Sequence, residues 1–493
     1  MKLYFKGHDE KYALEQSLLA FFPEERPVYD EPLESGESYA WVSLSEGRRW
    51  LTAVTEIGMD GKSARGISRW LLDDSLTEYD RQREKQRILK LSFFKAAREL
   101  TGNSPAWGAL TGIRPGKMAA RLLEKTGSVE KTDRALRDIY FVSPERRRLC
   151  IETAQQGLKA AAELKEDEIS LYVGIPFCPT RCAYCSFVSN SVERSFRLVQ
   201  PYLDGLYAEV EQAARLVKEL GLKIKSFYMG GGTPPPLTAE QMNELLTRIR
   251  KNFDPDHCVE YTIEAGRPDT IDRDKMLVLK DHGTTRVSIN PQTMEDHVLR
   301  AIGRRHTAAE IEEAMELVKA VGFDHVNMDL IAGLPEDTAE GFCRSLDRVL
   351  AMEADNVTVH TLSLKKGSRL TLEGSRIPDA REVGRMLDYA NPALRKAGFA
   401  PYYLYRQKYM SGSFENVGWS LPGAEGLYNI YIMEELHTIL SLGAGGSTKM
   451  VRGDRIERVF NLKYPQEYID RPEKIRENHE AFAAFYRGGP GDR

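Results

Sequence analysis

The sequence predicts an α/β protein whose core is a partial barrel of six βα units, preceded by a small α/β module with a helical connector and followed by a C-terminal extension. From Ile169 onward, short apolar strands alternate six times with loops and amphipathic helices, which is the pattern of parallel βα units. Each segment rich in chemistry-bearing residues falls at or just after one of those strands, the end at which barrels place their active sites. A length of 493 residues also exceeds one ordinary domain, so two or three cores are expected.

The elements follow in order. Residues 1–78 read as the small module: a strand around Leu3-Tyr4-Phe5, a helical stretch to Phe22, then Tyr39 to Val42 and Trp50 to Val54 as hairpin partners. Residues 79–165 turn helical, with Leu89, Leu91, Phe93, Phe94 and Leu100 on one face and breaks at Gly102, Pro105, Pro115 and Pro144, as a connector requires. Residues 166–365 carry the barrel, with strands Ser170 to Ile175, Lys225 to Met229, Val259 to Glu264, Thr285 to Ile289, His325 to Leu330 and Val357 to Leu362. Helices fill the gaps, among them Ala308 to Val321. In residues 366–493 the alternation fades into two helical stretches, an aromatic run Pro401-Tyr402-Tyr403-Leu404-Tyr405 and a loop Leu442-Gly-Ala-Gly-Gly-Ser447, read as an extension covering the barrel.

Composition narrows the function classes. Apolar residues make up 42% and charged residues 29%, so the chain folds throughout. A formal charge of -4 offers no global field for nucleic acid, and no segment approaches the ~18 uninterrupted apolar residues of a membrane span. Charge interrupts the first residues before a signal sequence can form, so the expected location is cytoplasmic. Six cysteines are too few for a secreted disulfide framework, and three of them crowd into eight positions.

Those three form Cys178-Pro-Thr-Arg-Cys182-Ala-Tyr-Cys185. Thiolates suit iron-sulfur clusters or zinc. Three on one loop can each hold one iron of a [4Fe-4S] cubane and leave the fourth iron open to the amino and carboxylate groups of S-adenosylmethionine (SAM). Zinc is the competing reading, but a structural zinc site wants four ligands, and neither a fourth Cys nor a His lies nearby.

After the second strand comes Gly230-Gly231-Gly232-Thr233-Pro-Pro-Pro236, where glycines admit a close approach and Thr233 and backbone carbonyls can receive an ammonium group. Glu264 ends the third strand, Gln292 and Arg304 follow the fourth, and Asp329 interrupts the apolar fifth. Asp329 suits a ribose hydroxyl, Glu264 an ammonium, Arg304 a carboxylate and Gln292 either; structural hydrogen bonds are the alternative for each.

With these residues in place, the sequence resembles the oxygen-independent coproporphyrinogen III oxidase family of radical SAM proteins, most closely its HemZ branch, over residues 165–450. The resemblance rests on Tyr172-Val-Gly-Ile-Pro-Phe with the cysteine triplet, the Gly-Gly-Gly-Thr-Pro run, Ser288-Ile-Asn-Pro-Gln292, Asp329-Leu-Ile-Ala-Gly-Leu-Pro335 and Leu442-Gly-Ala-Gly445. It implies a partial TIM-type barrel, a [4Fe-4S] cluster on Cys178, Cys182 and Cys185, one or two SAM molecules, and a reduced flavodoxin- or ferredoxin-type electron donor. The implied reaction converts propionates of coproporphyrinogen III to vinyl groups, giving protoporphyrinogen IX in heme biosynthesis. Carried over by position, Tyr172, Gly232 and Glu264 serve a first SAM. Thr233, Gln292, Arg304 and Asp329 with Tyr184 match a second nucleoside set, and Ser363 aligns with a further contact.

Two departures stand out: Gly174 and Phe187 occupy places where the oxidase branch carries His and a fourth Cys. A heme-delivery protein of the HemW type, or another radical reaction on a tetrapyrrole, is the alternative function. For the propionates, Arg406, Lys408, Lys449 and Arg452 are the candidate cations.

Overall fold

The computed structural model describes the chain except Asp30, Asp74, Arg181, 186–189, 192–195, 233–236, 364–376, 408–409, Asp454 and 489–493, and the side chains of residues 190, 191 and 411. The expectations at Thr233, Phe187 and Lys408 therefore lie outside the described residues. By compactness the chain divides into two units: 1–151 with 406–408 and 412–414, and 152–405 with 409–411 and 415–493.

In the first unit a five-stranded sheet has the order β2-β1-β3-β4-β5. Its strands are β1 (Lys2–Lys6), β2 (Val28–Tyr29), β3 (Tyr39–Glu46), β4 (Trp50–Met59) and β5 (Lys62–Leu71). The expected hairpin is β3–β4, antiparallel with Val42 opposite Thr55. Module and connector do not separate as expected, because the helix Glu78–Thr101 lays Ile88, Leu89 and Phe93 into the same core as Leu3, Val42 and Ile57. That helix starts on a Thr77 side-chain cap and stops at Gly102 in the left-handed region. β5 escapes a hydrophobicity reading because its inward residues are Ala64, Gly66 and Ser68. They must be small: a methyl group on Gly66 would lie 2.0 Å from the Ser92 carbonyl oxygen of the helix.

The second unit is built on one eleven-stranded sheet with seven parallel strands at its centre. These are β6 (Glu168–Ile175), β9 (Lys223–Gly231), β10 (Glu260–Gly266), β11 (Arg286–Gln292), β12 (His325–Ala332), β13 (Asn356–Thr361) and, from the supposed extension, β16 (Ile439–Leu442) beside β6. A two-residue pair, β7 (Phe177–Cys178) and β8 (Asn190–Ser191), branches off after β6. Antiparallel β14 (Ala400–Tyr405) and β15 (Asn416–Ser420) flank one edge, with β17 (Ser447–Arg452) and β18 (Arg455–Phe460) at the other. Six parallel strands were expected and seven form; β16 was missed because its four residues precede a glycine loop instead of a helix. The helix expected over 308–321 is present, fixed by a Thr307/Glu310 capping box and by Gly322 at φ +82°.

The parallel strands alternate strictly. Leu171, Val173, Met229, Ile263, Val287, Met328, Leu330 and Val357 are fully buried on one face, each stabilising the fold by about 1.5–3 kcal/mol. The residues between them, Ser170, Tyr172, Tyr228, Glu260, Glu264, Ser288, Asn327, Asp329, Thr358 and His360, share the other face. At its N-terminal end that polar face is closed by the chain itself. Glu260 accepts from the backbone N–H groups of Leu427 (2.6 Å) and Tyr428 (3.0 Å) at the start of helix Leu427–Glu434. Arg286 and Asn356 both donate to the Ala424 carbonyl oxygen, at 3.0 and 2.7 Å. The Tyr428 ring then stacks on Tyr228 at 4.5 Å. The C-terminal ends of the strands are the end this segment leaves free. Among the described residues no helix is long and apolar enough to cross a membrane.

Candidate functional site

At the C-terminal end of β6 the chain turns through Pro176 into the cysteine loop. Cys178, Cys182 and Cys185 are partly accessible and form no disulfide. Among the described residues no three His, Cys, Asp or Glu side chains are gathered around one metal position. The loop is nonetheless seated firmly. Arg267, just past β10, donates to the Thr180 hydroxyl (2.8 Å) and carbonyl (3.3 Å), and the Ala183 N–H bonds the Ile302 carbonyl oxygen (3.0 Å). Arg304 donates to the Tyr184 hydroxyl at 3.1 Å and to the Asn290 carbonyl oxygen. Burial resists a charge on Cys182, yet the Arg304 and Arg267 cations, with hydrogen bonds from Arg304 and Tyr184, lower its pKa. A thiolate-stabilising loop of three uncrosslinked sulfurs is the donor chemistry an iron-sulfur cluster requires.

The glycine run that ends β9 explains its own composition. A methyl on Gly232 would lie 2.3 Å from the Phe177 carbonyl oxygen, and one on Gly230 would lie 2.7 Å from the Glu264 carboxyl. Gly231 sits at φ +106°, and the Gly232 N–H bonds the Ile175 carbonyl oxygen at 2.7 Å. The glycines let the cysteine loop and the Glu264 side chain close on β9 at once.

Beside them, Tyr228 donates to Glu264 at 2.7 Å, and Tyr172 stacks parallel to Tyr228 at 6.2 Å. Asp329 accepts from Asn327 (2.8 Å) and lies 3.7 Å from the His360 imidazole. Burial, reinforced by the charge of Asp329, pushes the Glu264 carboxyl up to about 7 despite bonds from Tyr228 and the Gly231 N–H. Burial works the same way on Asp329, but His360, Asn327 and Thr358 together hold its carboxyl below the usual range. The two neighbouring carboxyl groups thus differ: one is held ionised, the other is poised to gain or lose its charge near neutrality.

Of the expected residues, Tyr172, Gly230, Gly231, Glu264 and Asp329 come together in one group, and Tyr184, Arg304 and Cys182 in another. Asp329 stands beside Glu264, close enough for its charge to act on that carboxyl. Gln292 is buried at the end of β11 with φ +69°, a left-handed conformation that is strained for a side-chain-bearing residue. Ser363 forms a bridge to Met410 just after β13. His360 was missed; its signal was the polar alternation Asn356, Thr358, His360 along β13, which places it on the face that carries Asp329.

Where the oxidase branch carries His, Gly174 lies tight against its neighbours, so that a side chain there would require them to give by a few tenths of an ångström. A methyl there would lie 3.1 Å from the Ala444 carbonyl oxygen. The Leu442–Gly445 loop occupies that space, held by Tyr202, which donates to the Gly174 carbonyl oxygen (2.6 Å) and accepts from the Ala444 N–H (3.0 Å). The Gly443 N–H is held in turn by buried Glu209 at 2.7 Å. Of the cations expected for propionates, Arg406, Lys449 and Arg452 bond carbonyl oxygens of the chain itself. Arg406 is buried and donates to the Leu110 and Ser413 carbonyl oxygens, and Lys449 donates to the Ile432 carbonyl oxygen. Arg452 bonds the carbonyl oxygens of Tyr486 and Gly488.

Comparison with known proteins agrees with this geometry. The sequence profile of the Radical SAM superfamily matches residues 172–349. The oxygen-independent coproporphyrinogen-III oxidase-like protein HemZ of Bacillus subtilis (strain 168) is 35% identical over 480 residues, 96% of this chain and 95% of that protein. The heme chaperone HemW of Lactococcus lactis is 30% identical over 285 residues, 56% of this chain and 69% of that one. Among solved structures, the coproporphyrinogen III oxidase HemN of Escherichia coli shares the fold, with a TM-score of 0.52 at 24% identity over 66% of this chain and 73% of that one. Likeness to HemZ at this identity over nearly the whole of both chains is decisive: the chain belongs to the radical SAM superfamily, within its oxygen-independent coproporphyrinogen III oxidase-like family.

Proposed function

We propose that the chain oxidatively decarboxylates propionate side chains of coproporphyrinogen III to vinyl groups, yielding protoporphyrinogen IX without oxygen. The observation that carries this reading is the extent of likeness: 96% of the chain aligns with HemZ, against 56% with the heme chaperone of Lactococcus lactis and 64% with that of Mycobacterium tuberculosis. Each conversion gives up one hydrogen atom, taken by the carbon radical that SAM would supply, and one electron, which a one-electron acceptor must take up, and it releases the carboxylate as carbon dioxide.

The cofactors of the superfamily are a [4Fe-4S] cluster and SAM. Cys178, Cys182 and Cys185 would hold the cluster. Tyr172, Gly230, Gly231, Gly232 and Glu264 would hold one SAM, and Thr233, Tyr184, Gln292, Arg304, Asp329 and Ser363 would serve further contacts. When bound, these groups supply one-electron cleavage of the sulfonium and a carbon radical that takes hydrogen from the substrate. The chain's own residues orient and exclude. An ionised Glu264 accepts an ammonium group, and Asp329, held charged by its neighbours, accepts from a ribose hydroxyl. The 424–434 segment closes the rear of the polar face, so substrate and reductant, a flavodoxin or ferredoxin, meet the open strand ends.

The test is an anaerobic incubation of the reconstituted protein with SAM, dithionite and coproporphyrinogen III. Protoporphyrinogen IX formed together with 5'-deoxyadenosine is the expected result. Stoichiometric heme binding without turnover would contradict it and favour heme delivery.

A further inference from the structure

Two buried guanidinium groups flank the cysteine loop, and they are balanced differently. Arg304, 6% exposed, has no carboxylate partner among the described residues; it bonds the Asn290 carbonyl oxygen, the Tyr184 hydroxyl and Cys182. Arg267, 3% exposed, grips Asp269 through two bonds, Nε to Oδ1 at 3.0 Å and Nη2 to Oδ2 at 2.5 Å. Its remaining nitrogen, Nη1, reaches Thr180 between the first two cysteines. Asp269 is backed by His306, whose fully buried imidazole lies 3.7 Å away and finds no hydrogen-bond partner at either ring nitrogen among the described residues.

We infer that Arg267 and Asp269 form a charge-neutral clamp that positions the cysteine loop for its cluster, while the uncompensated cation beside the loop is Arg304. This rests on the reading that the three cysteines carry the cluster. The physical basis is the fork geometry of arginine. With two of its donors committed to a carboxylate, the guanidinium plane is fixed, and Nη1 holds Thr180 in one place. Because Asp269 offsets part of the Arg267 charge, only part of that cation's field reaches Cys182 and the clamp acts chiefly by position, whereas changing either charge alone alters the field at the sulfurs. Arg267 and Asp269 are positioning residues.

The experiment compares anaerobically reconstituted parent, Asp269→Asn, the double variant Arg267→Ala/Asp269→Ala, and Thr180→Val. Its readouts are iron per chain, the rate of iron loss to a chelator, and the midpoint potential of the cluster. Circular dichroism of each metal-free chain verifies folding. Asp269→Asn unmasks a cation and moves the potential upward with iron retained. The double variant leaves the potential near that of the parent but releases iron about tenfold faster, the effect of losing the charge-assisted hydrogen bonds from Arg267 to Thr180. Thr180→Val, which disturbs only the loop, also speeds release, and it decides the matter should the double variant not fold. Unchanged release and potential in the folded variants would overturn the inference alone; a parent that takes up no iron would overturn it together with the cluster assignment.

Discussion

Glu264 is placed where its charge is costly and useful at once. Tyr228, the Gly231 N–H, Asp329 and His360 surround it, and burial with the Asp329 charge raises its carboxyl to about 7. An acid whose folded pKa lies above its unfolded value binds a proton on folding, so stability falls as pH rises from about 4.5 to 7 and stays lowered above that. The penalty is at most about 3 kcal/mol. Glu264→Gln removes it, so denaturant unfolding of the metal-free chain should find the variant more stable than the parent at pH 8 and equal to it near pH 4.5. The same variant should lose SAM affinity at pH 8, measured by equilibrium binding to the reconstituted protein. A variant less stable than the parent at pH 8 would contradict this account of Glu264.

At the scale of elements, the parallel strands show what the sequence made legible and what it hid. Strand positions were readable because Leu171, Val173, Val287, Ile289 and their counterparts make short apolar runs between helices. The period of two within those runs was readable as well but went unused: Asn356, Thr358 and His360 along β13, or Glu260, Thr262 and Glu264 along β10, mark a polar face, unlike the apolar interior of a full barrel. β16 and β5 were hidden for opposite reasons, one too short and the other made of small residues that a helix must approach. Nothing local in the sequence pairs Glu260 with Leu427, 167 residues away.

That pairing carries a prediction. Glu260→Ala leaves the first turn of helix Leu427–Glu434 and the nearby Arg286 guanidinium, 3.9 Å away, without their carboxylate. A loss of about 2–4 kcal/mol is expected in chemical denaturation of the metal-free chain, with cluster content after reconstitution retained. Unchanged stability would mean that the segment is not held by the strands.

At the scale of the molecule, the chain divides by compactness into two units. Sequence texture changes where secondary structure changes, whereas compact units follow shared cores: Phe93 joins the core of Val42, and β16 pairs with β6 in one sheet. The proposed functional centre is one loop of three thiols at the end of β6, held by Arg267 just past β10 and by Arg304 just past the helix Asp296–Ala301. The most direct test of that claim is electron paramagnetic resonance of the dithionite-reduced, anaerobically reconstituted protein before and after SAM, with metal content measured on the same samples, for the parent and Cys182→Ser. The account predicts about four iron atoms per parent chain, a signal that changes when SAM is added, and neither in the variant. Stoichiometric zinc without iron, or an iron signal indifferent to SAM, would contradict it.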